Sequence, residues 1–275
     1  MIQDIHPHSF ENTYKANQEM TKDSYVFIFE DNSLLLKQEN DTVSLPRMRD
    51  ITIGNNEGIY LFSLDGVPCF WLSECPLIEK DNYVYHEIRF LHTIAEGEID
   101  FLSGVALHLK NWYEQHRYCG KCGSKTQHKD DERALVCSHC GHTVFPNISP
   151  AIIVAIICGD KILLARGVNF PEGFFSLVAG YTDVGETAEE TIAREVREEV
   201  GIVLSSVRYY KSQPWAFSGS LMLAFIAEAD DSQPIIIDPK EIAEANWYHR
   251  NSLPNCPTDR SIAGEIIAKF RNGEL

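Results

Sequence analysis

The chain has 275 residues, of which 44% are hydrophobic and 23% charged, and carries a formal net charge of −16. That length holds one large or two modest domains with a sizeable core, in a composition ordinary for a soluble globular protein. The acidity excludes nucleic-acid binding through a broad basic surface and points to cation sites. The N-terminus, MIQDIHPHSF, has no basic or long apolar stretch. The longest apolar run, Ala151–Cys158, is far short of the roughly 20 residues of a membrane span. A soluble, cytoplasmic protein with no membrane partner is therefore expected.

Three segments follow in chain order. In the first, residues 1–116, the β-branched and aromatic run Tyr25–Phe29 predicts a strand. Ile59–Leu64 and Val67–Leu72 flank Asp65-Gly66, a two-residue hairpin signal. Asn82–Ile88 predicts another strand. Leu102, Val105, Ala106, Leu109, Trp112 and Tyr113 fall at helical spacing and close a small β-rich domain. The second segment, 117–146, is rich in cysteine. The third, 147–275, opens with Ala151–Cys158, a Gly159-Asp160 turn and Lys161–Ala165, a buried hairpin. A helix is predicted at 188–200, strands near 202–212, 221–229 and 244–249, and a last helix over 260–271. Mixed strands with helices between them imply a layered α+β sheet structure.

Cys119-Gly-Lys-Cys122 and Cys137-Ser-His-Cys140 are two C-x2-C pairs separated by fourteen residues, each followed by glycine. Four thiolates suit tetrahedral Zn²⁺ and leave no position open for water, so the site reads as structural. A redox dithiol or an iron centre is the alternative. With four cysteines present, His116, His128, His139 and His142 are expected at the surface. Cys69, Cys75, Cys158 and Cys256 are scattered and expected as small buried hydrophobes.

The stretch from Gly180 to Ile202 contains a well-marked helix. Thr187 and Glu190 form a capping box, Gly201 is placed for a left-handed cap, and Ala188, Ile192 and Val196 make an apolar stripe. Glu195, Glu198 and Glu199 stand at i, i+3 and i+4, within about 100° of the helix circumference. Like charges at this spacing repel, and the C-terminal half of a helix disfavours negative charge. Arg194 is placed to pair with Glu198, whereas Glu199 has no cation four residues away. A divalent cation offsets the repulsion, and oxygen-only ligation favours Mg²⁺ or Mn²⁺.

The spacing of these residues is G-x5-E-x7-R-E-U-x-E-E-x-G-U, where U is aliphatic: Gly180, Glu186, Arg194, Glu195, Val196, Glu198, Glu199, Gly201 and Ile202. It resembles the signature of Nudix hydrolases without a mismatch. The resemblance implies an α/β/α sandwich with a mixed sheet, preceded here by the ribbon and the β-rich domain. It implies Glu195 and Glu199 as metal ligands, Glu198 as ligand or base, Arg194 as the residue that orients them, and Glu186 nearby. The reaction class implied is metal-assisted cleavage of a diphosphate.

Two features narrow the substrate: the ribbon directly before this segment, and Ser212-Gln213-Pro214-Trp215-Ala216-Phe217-Ser218-Gly219-Ser220 after it. Trp215 and Phe217 offer flat faces to a ring, and Gln213 can bond a base or ribose; a structural aromatic turn is the alternative. The stretch resembles the S-Q-P-W-P-F-P-x-S array of the NADH pyrophosphatase family of Nudix enzymes. Ala216 and Ser218 replace two of its prolines, which loosens the loop. The family resemblance implies that Gln213 to Ser220 bind substrate, that Glu241 and the Ala179 carbonyl join the metal site, and that Tyr181 and Phe145 line the ring pocket. It also implies substrate contacts at Glu132, Ala263 and Arg89, and a homodimer. The expected activity is hydrolysis of NAD(H) to nicotinamide mononucleotide and AMP, with removal of NAD caps from RNA 5′ ends. The rivals are another nucleoside diphosphate derivative, such as ADP-ribose or a dinucleoside polyphosphate, and a non-catalytic zinc-ribbon regulator that senses a nucleotide.

Overall fold

The computed structural model describes residues 1–40, 42–51, 58–73 and 82–275; Cys75 lies outside them. They form two compact units. One takes in Ile2–Asn147 together with Ala216–Gly219, and the other Met1, Ile148–Trp215 and Ser220–Leu275. No helix among the described residues is long and apolar enough to cross a membrane.

Two small sheets build the N-terminal part. Ile59–Leu64 and Val67–Trp71 pair antiparallel, with φ of 51° at Asp65 and 75° at Gly66 closing the two-residue turn. The run expected as one strand is divided. Tyr25–Phe27 pairs in parallel with Val67–Trp71, whereas Phe29–Glu30 pairs with Ser33–Glu39 in the other sheet. Ile28 sits at the crossing and is buried with Val26, Leu35, Ile51 and Leu72. The later strand is Tyr83–Glu87, also paired with Ser33–Glu39. Helix α1 (Gly97–Gln115) buries Leu102, Ala106, Leu109, Trp112 and Tyr113. Three short antiparallel strands, Thr126–His128, Leu135–Cys137 and Thr143–Val144, make the ribbon. Arg133 fastens it to the hairpin by donating to the Leu61 carbonyl, and the Tyr14 hydroxyl donates to the Lys129 carbonyl at 3.0 Å.

The second unit is a mixed sheet between two helices. Its strand order is Ser206–Trp215, Ser220–Glu228, Ser149–Cys158, Lys161–Gly167, Ile242–His249, with Val178–Tyr181 also paired to Ser149–Cys158. Along Ser149–Cys158 side chains alternate between faces. Ile152, Val154 and Ile156 pack with Ile192, Val196 and Val200 of helix α2 (Ala188–Val200). Ile153 and Ala155 pack with Ile262, Ile266 and Phe270 of helix α3 (Ile262–Asn272). Both faces are covered, which is why the strand reads as unbroken apolar sequence. At about 25 cal/mol per Å² of apolar area, each fully buried Ile or Val here contributes roughly 1.5–3 kcal/mol.

Other points differ from expectation. The strand predicted over 202–212 is Ser206–Trp215. Ile202–Ser205 instead turns away from the Gly201 cap, pinned where Gln233 exchanges two hydrogen bonds with the Val203 backbone. The strand then runs into the array, and Pro214 is tolerated there because this strand is at the sheet edge. The sequence reading also missed Val178–Tyr181, a four-residue strand. Cys69 is buried as expected, whereas Cys158 and Cys256 are only half-buried.

Candidate active site and zinc ribbon

Two similar turns bring the ribbon cysteines together. The Gly123 N–H donates to the Cys119 carbonyl at 2.8 Å, and the Gly141 N–H to the Cys137 carbonyl at 2.9 Å, with φ of 75° and 71° at the two glycines. All four sulfurs lie within 4.8 Å of one another, with Cys119–Cys140 at 3.7 Å and Cys122–Cys137 at 3.5 Å. A tetrahedron of zinc–sulfur bonds of about 2.3 Å has edges of about 3.8 Å, so the thiols fit that ion closely. His116 bonds the Trp112 carbonyl and the His128 ring lies tilted against Tyr113, and neither belongs to the metal-competent group of four cysteines.

The second site is built on α2. Thr187 accepts the Glu190 N–H and Glu190 accepts the Thr187 N–H, so the capping box forms, and Gly201 ends the helix with φ of 73°. Arg194 organises the acidic residues. Its Nε donates to Glu186 at 2.6 Å, and Nη2 reaches the same carboxylate at 2.8 Å and the Tyr181 carbonyl at 3.1 Å. Nη1 donates to Glu195 at 2.8 Å and to Glu198 at 3.2 Å. Paired with Arg194 and bonded by the Asp183 N–H, Glu186 has its carboxyl lowered to about 2.

Glu195 and Glu199 are 9% and 7% exposed. Burial raises Glu195 despite its bond to Arg194. Burial, then the facing carboxylates Glu195, Glu241 and Glu198, push Glu199 up to about 8. Among the described residues no lysine or arginine pairs with Glu199. A buried carboxylate surrounded by three others is electrostatically incomplete, and a divalent cation with oxygen donors completes it. The four glutamates are spread more widely than the ribbon sulfurs, which are the described group whose ligand atoms lie within 4.8 Å of one another.

The strand Val178–Tyr181 places Ala179 and Gly180 beside this cluster. A Cβ on Gly180 would stand 2.1 Å from the Glu195 carboxyl carbon, so the glycine makes room for that side chain. Glu241 lies just before the strand Ile242–His249, on an exposed turn rather than a helix, and its carbonyl accepts the Val168 N–H at 2.8 Å. Glu195, Glu198, Glu199, Glu241 and the Ala179–Gly180 backbone are thus brought together.

The array is engaged at several points. Tyr181, 54% exposed, has its hydroxyl 3.2 Å from the Ser220 Oγ. Gln213 is fully buried, and its amide is directed inward: the oxygen accepts the Ile262 N–H at 2.7 Å, and Nε2 donates to the Arg260 carbonyl at 3.1 Å. The sequence reading had this amide facing a base or ribose; the structure uses it to hold the start of α3. Phe217 packs its ring against Gly104 of α1, where a Cβ would come within 3.1 Å of it. Pro214 and Ser218 are exposed, Trp215, Ala216 and Gly219 half-buried.

Other expected substrate residues are placed less tellingly. Ala263 is 4% exposed and its methyl belongs to the core under α3, which leaves only its backbone for a ligand. Glu132 pairs with Lys129 in the ribbon. Phe145 is half exposed. Arg89 is exposed, pairs with Glu87 at 2.5 Å and lies over the Phe90 ring. Arg260, which the sequence reading missed, stands over Trp215 with 5.8 Å from Cζ to the ring centroid. Its only sequence signal is its place before the α3 cap residue Ser261.

A NUDIX domain model matches residues 148–270, and an NADH pyrophosphatase zinc ribbon domain model matches residues 114–145. The NAD-capped RNA hydrolase NudC of Escherichia coli (strain SMS-3-5 / SECEC) is 46% identical over 184 residues, 66% of this chain and 71% of that protein. The chain belongs to the Nudix family. The protein of the same description from Salmonella heidelberg (strain SL476) is 46% identical to this Nudix chain over 166 residues, 60% of the chain. That alignment spans 64% of the length of the Salmonella relative, a little under two thirds. Among solved structures, a NUDIX hydrolase from Nitrosomonas europaea covers 57% of the Nudix chain and 93% of its own, with 17% identity and a TM-score of 0.45.

Proposed function

We propose that this Nudix protein hydrolyses the diphosphate linkage of NAD(H), giving nicotinamide mononucleotide and AMP, and that it removes NAD caps from RNA 5′ ends by the same cleavage. The observation that carries the reaction is the buried pair Glu195 and Glu199 on a helix held by Arg194, with Glu241 facing Glu199 from an exposed turn and no described lysine or arginine paired with Glu199. The substrate rests on the array at 212–220 and on relatives described as NAD-capped RNA hydrolases.

Glu195, Glu199, Glu241 and the Ala179 carbonyl would hold Mg²⁺ or Mn²⁺, and Glu198 is a further ligand or the base. When bound, such ions neutralise diphosphate charge and lower the pKa of an attacking water. The protein's own part is to fix the carboxylates. Arg194 aligns Glu186, Glu195 and Glu198 through its hydrogen bonds and lowers the Glu186 carboxyl to about 2, and Gly180 leaves the Glu195 carboxylate its place. Trp215 and Tyr181 supply ring faces for adenine or nicotinamide. Gln213, two residues before Trp215, ties this strand to the start of α3. The family resemblance adds Pro214, Ala216, Phe217, Ser218, Gly219, Ser220, Phe145, Glu132, Ala263 and Arg89 as substrate contacts. The four cysteines hold a structural Zn²⁺. An acidic chain takes RNA by its capped end rather than along a basic groove. The family resemblance adds a homodimer, and a cytoplasmic setting is proposed with it.

The test is a Mg²⁺ and Mn²⁺ assay comparing NADH, NAD⁺, ADP-ribose and NAD-capped RNA, with Glu199→Gln as control. Release of nicotinamide mononucleotide from NADH by wild type alone is expected. Fast ADP-ribose cleavage without NADH cleavage would refute the substrate, and an unaffected Glu199→Gln would refute the site.

A further inference from the structure

The array's aromatic residue Trp215 has a cation over it, and the backbone that carries this cation is tied by several hydrogen bonds. Arg260 ends the loop before α3. The Ser261 N–H donates to the Thr258 carbonyl at 3.1 Å, and the Ser261 hydroxyl accepts the Gly264 N–H at 3.2 Å. A Cβ on Gly264 would stand 1.8 Å from the Thr258 carbonyl oxygen, so this loop lies directly on the first turn of the helix. The Gln213 amide then ties both sides of Ser261 to the array strand, through the Arg260 carbonyl and the Ile262 N–H. Gln213 and Trp215 are two residues apart on the same strand, so one segment provides both the brace and the ring that Arg260 covers.

We infer that Arg260 is a positioning residue for substrate binding. Its guanidinium fixes the Trp215 indole from one side, so that the other face is presented to a ring of the substrate, and Gln213 keeps Arg260 in place. A cation within about 6 Å of an indole centroid is attracted by the ring quadrupole. An indole fixed before the ligand arrives loses less rotamer freedom on binding. The direction of Gln213 follows from chemistry as well as geometry. A buried amide with donor and acceptor both engaged has little left for a base, whereas its loss frees the Arg260 loop. This inference rests on the NAD(H) reading for its kinetic arm only.

The experiment uses full-length zinc-loaded protein. Arg260→Gln is expected to raise KM for NADH about two- to fivefold with kcat unchanged, the range of one exposed cation–π contact. Arg260→Lys, which keeps a cation, recovers most of the loss. Gln213→Met raises KM by a similar factor, with the melting curve confirming that the variant is folded. In a Trp215→Ala background the Arg260→Gln change has no further effect, because the pair acts as one unit. Acrylamide quenching gives an arm without substrate: the Trp215 emission, taken against Trp215→Phe, becomes more accessible in Arg260→Gln. An unchanged KM together with unchanged quenching overturns the inference, and so does an equal KM rise in the Trp215→Ala background. Absence of NADH turnover in wild type, with the quenching change present, refutes the substrate reading and leaves this inference standing.

Discussion

Replacing Gly180 with alanine separates the position of a carboxylate from its presence. The added methyl would stand 2.1 Å from the Glu195 carboxyl carbon and from Oε1, and 2.5 Å from Cγ. Restoring an ordinary contact of 3.4 Å moves the carboxylate by about 1.3 Å. The obstructing atoms are the end of a flexible side chain, so the backbone strand paired with Ile152 can stay. Stability therefore changes little. A weakened Glu195–Arg194 bond costs about 1 kcal/mol, and the glycine-to-alanine change returns about 0.4–1 kcal/mol through the unfolded chain. A net change below about 1 kcal/mol shifts Tm by less than about 4 °C in a domain of this size. Activity responds otherwise, since a displacement of about 1 Å at a reacting group can cost on the order of 10²-fold in rate. The measurement is kcat for NADH at saturating Mg²⁺ beside the melting temperature. Wild-type kcat in Gly180→Ala would show that the Glu195 position does not set the rate. A collapse of Tm would show that the side chain does not yield as argued.

Three further outcomes are expected. Burial and the facing carboxylates push Glu199 up to about 8, so at pH 7 the metal-free fold must hold it protonated; Glu199→Gln removes that cost, and the metal-free variant melts higher than wild type. Added Mg²⁺ then stabilises wild type by about 1.4 kcal/mol at ten times Kd, read as a higher Tm, and leaves the variant unchanged. Glu186 has a folded pKa of about 2 against an ordinary 4.5, so its stabilisation is full above pH 4.5 and is lost as pH falls toward 2. Glu186→Gln flattens that part of an acid denaturation curve relative to wild type, and an unchanged slope refutes the pairing. The purified chain carries one zinc, and its removal by a strong chelator, or Cys137→Ser, lowers stability on the order of several kcal/mol, read by metal analysis and thermal melting.

Much of this was legible locally. The limits of α2 follow from Thr187, Glu190 and Gly201, whose hydrogen bonds join residues at most four apart. The Asp65-Gly66 turn follows from two residues that accept positive φ. What was not legible depends on partners far along the chain. Val178–Tyr181 is too short to show a period, and is a strand because Ala151–Val154 lies beside it. The division at Ile28 arises because its two flanks find different sheets. Gln213 is equally suited to a ligand or to a helix start. Only the approach of Arg260 and Ile262, some 47 to 49 residues later, decides between them. The glutamates were legible as a group, but the burial that distinguishes Glu199 from Glu198 comes from the sheet.

Arg194 has a consequence for how the site meets its substrate. A guanidinium has five N–H hydrogens, and five hydrogen bonds leave it, two to Glu186 and one each to Glu195, Glu198 and the Tyr181 carbonyl. It is a saturated donor. An incoming phosphate oxygen can recruit it only by evicting a carboxylate, so positive charge for the diphosphate has to be imported with the ions. Lysine, with three hydrogens on one rotating nitrogen, would leave acceptors in this cluster unserved. Under the proposed function, the rate of such a site would follow the free concentration of its divalent ion, with the arginine a scaffold for the carboxylates rather than a hand on the substrate.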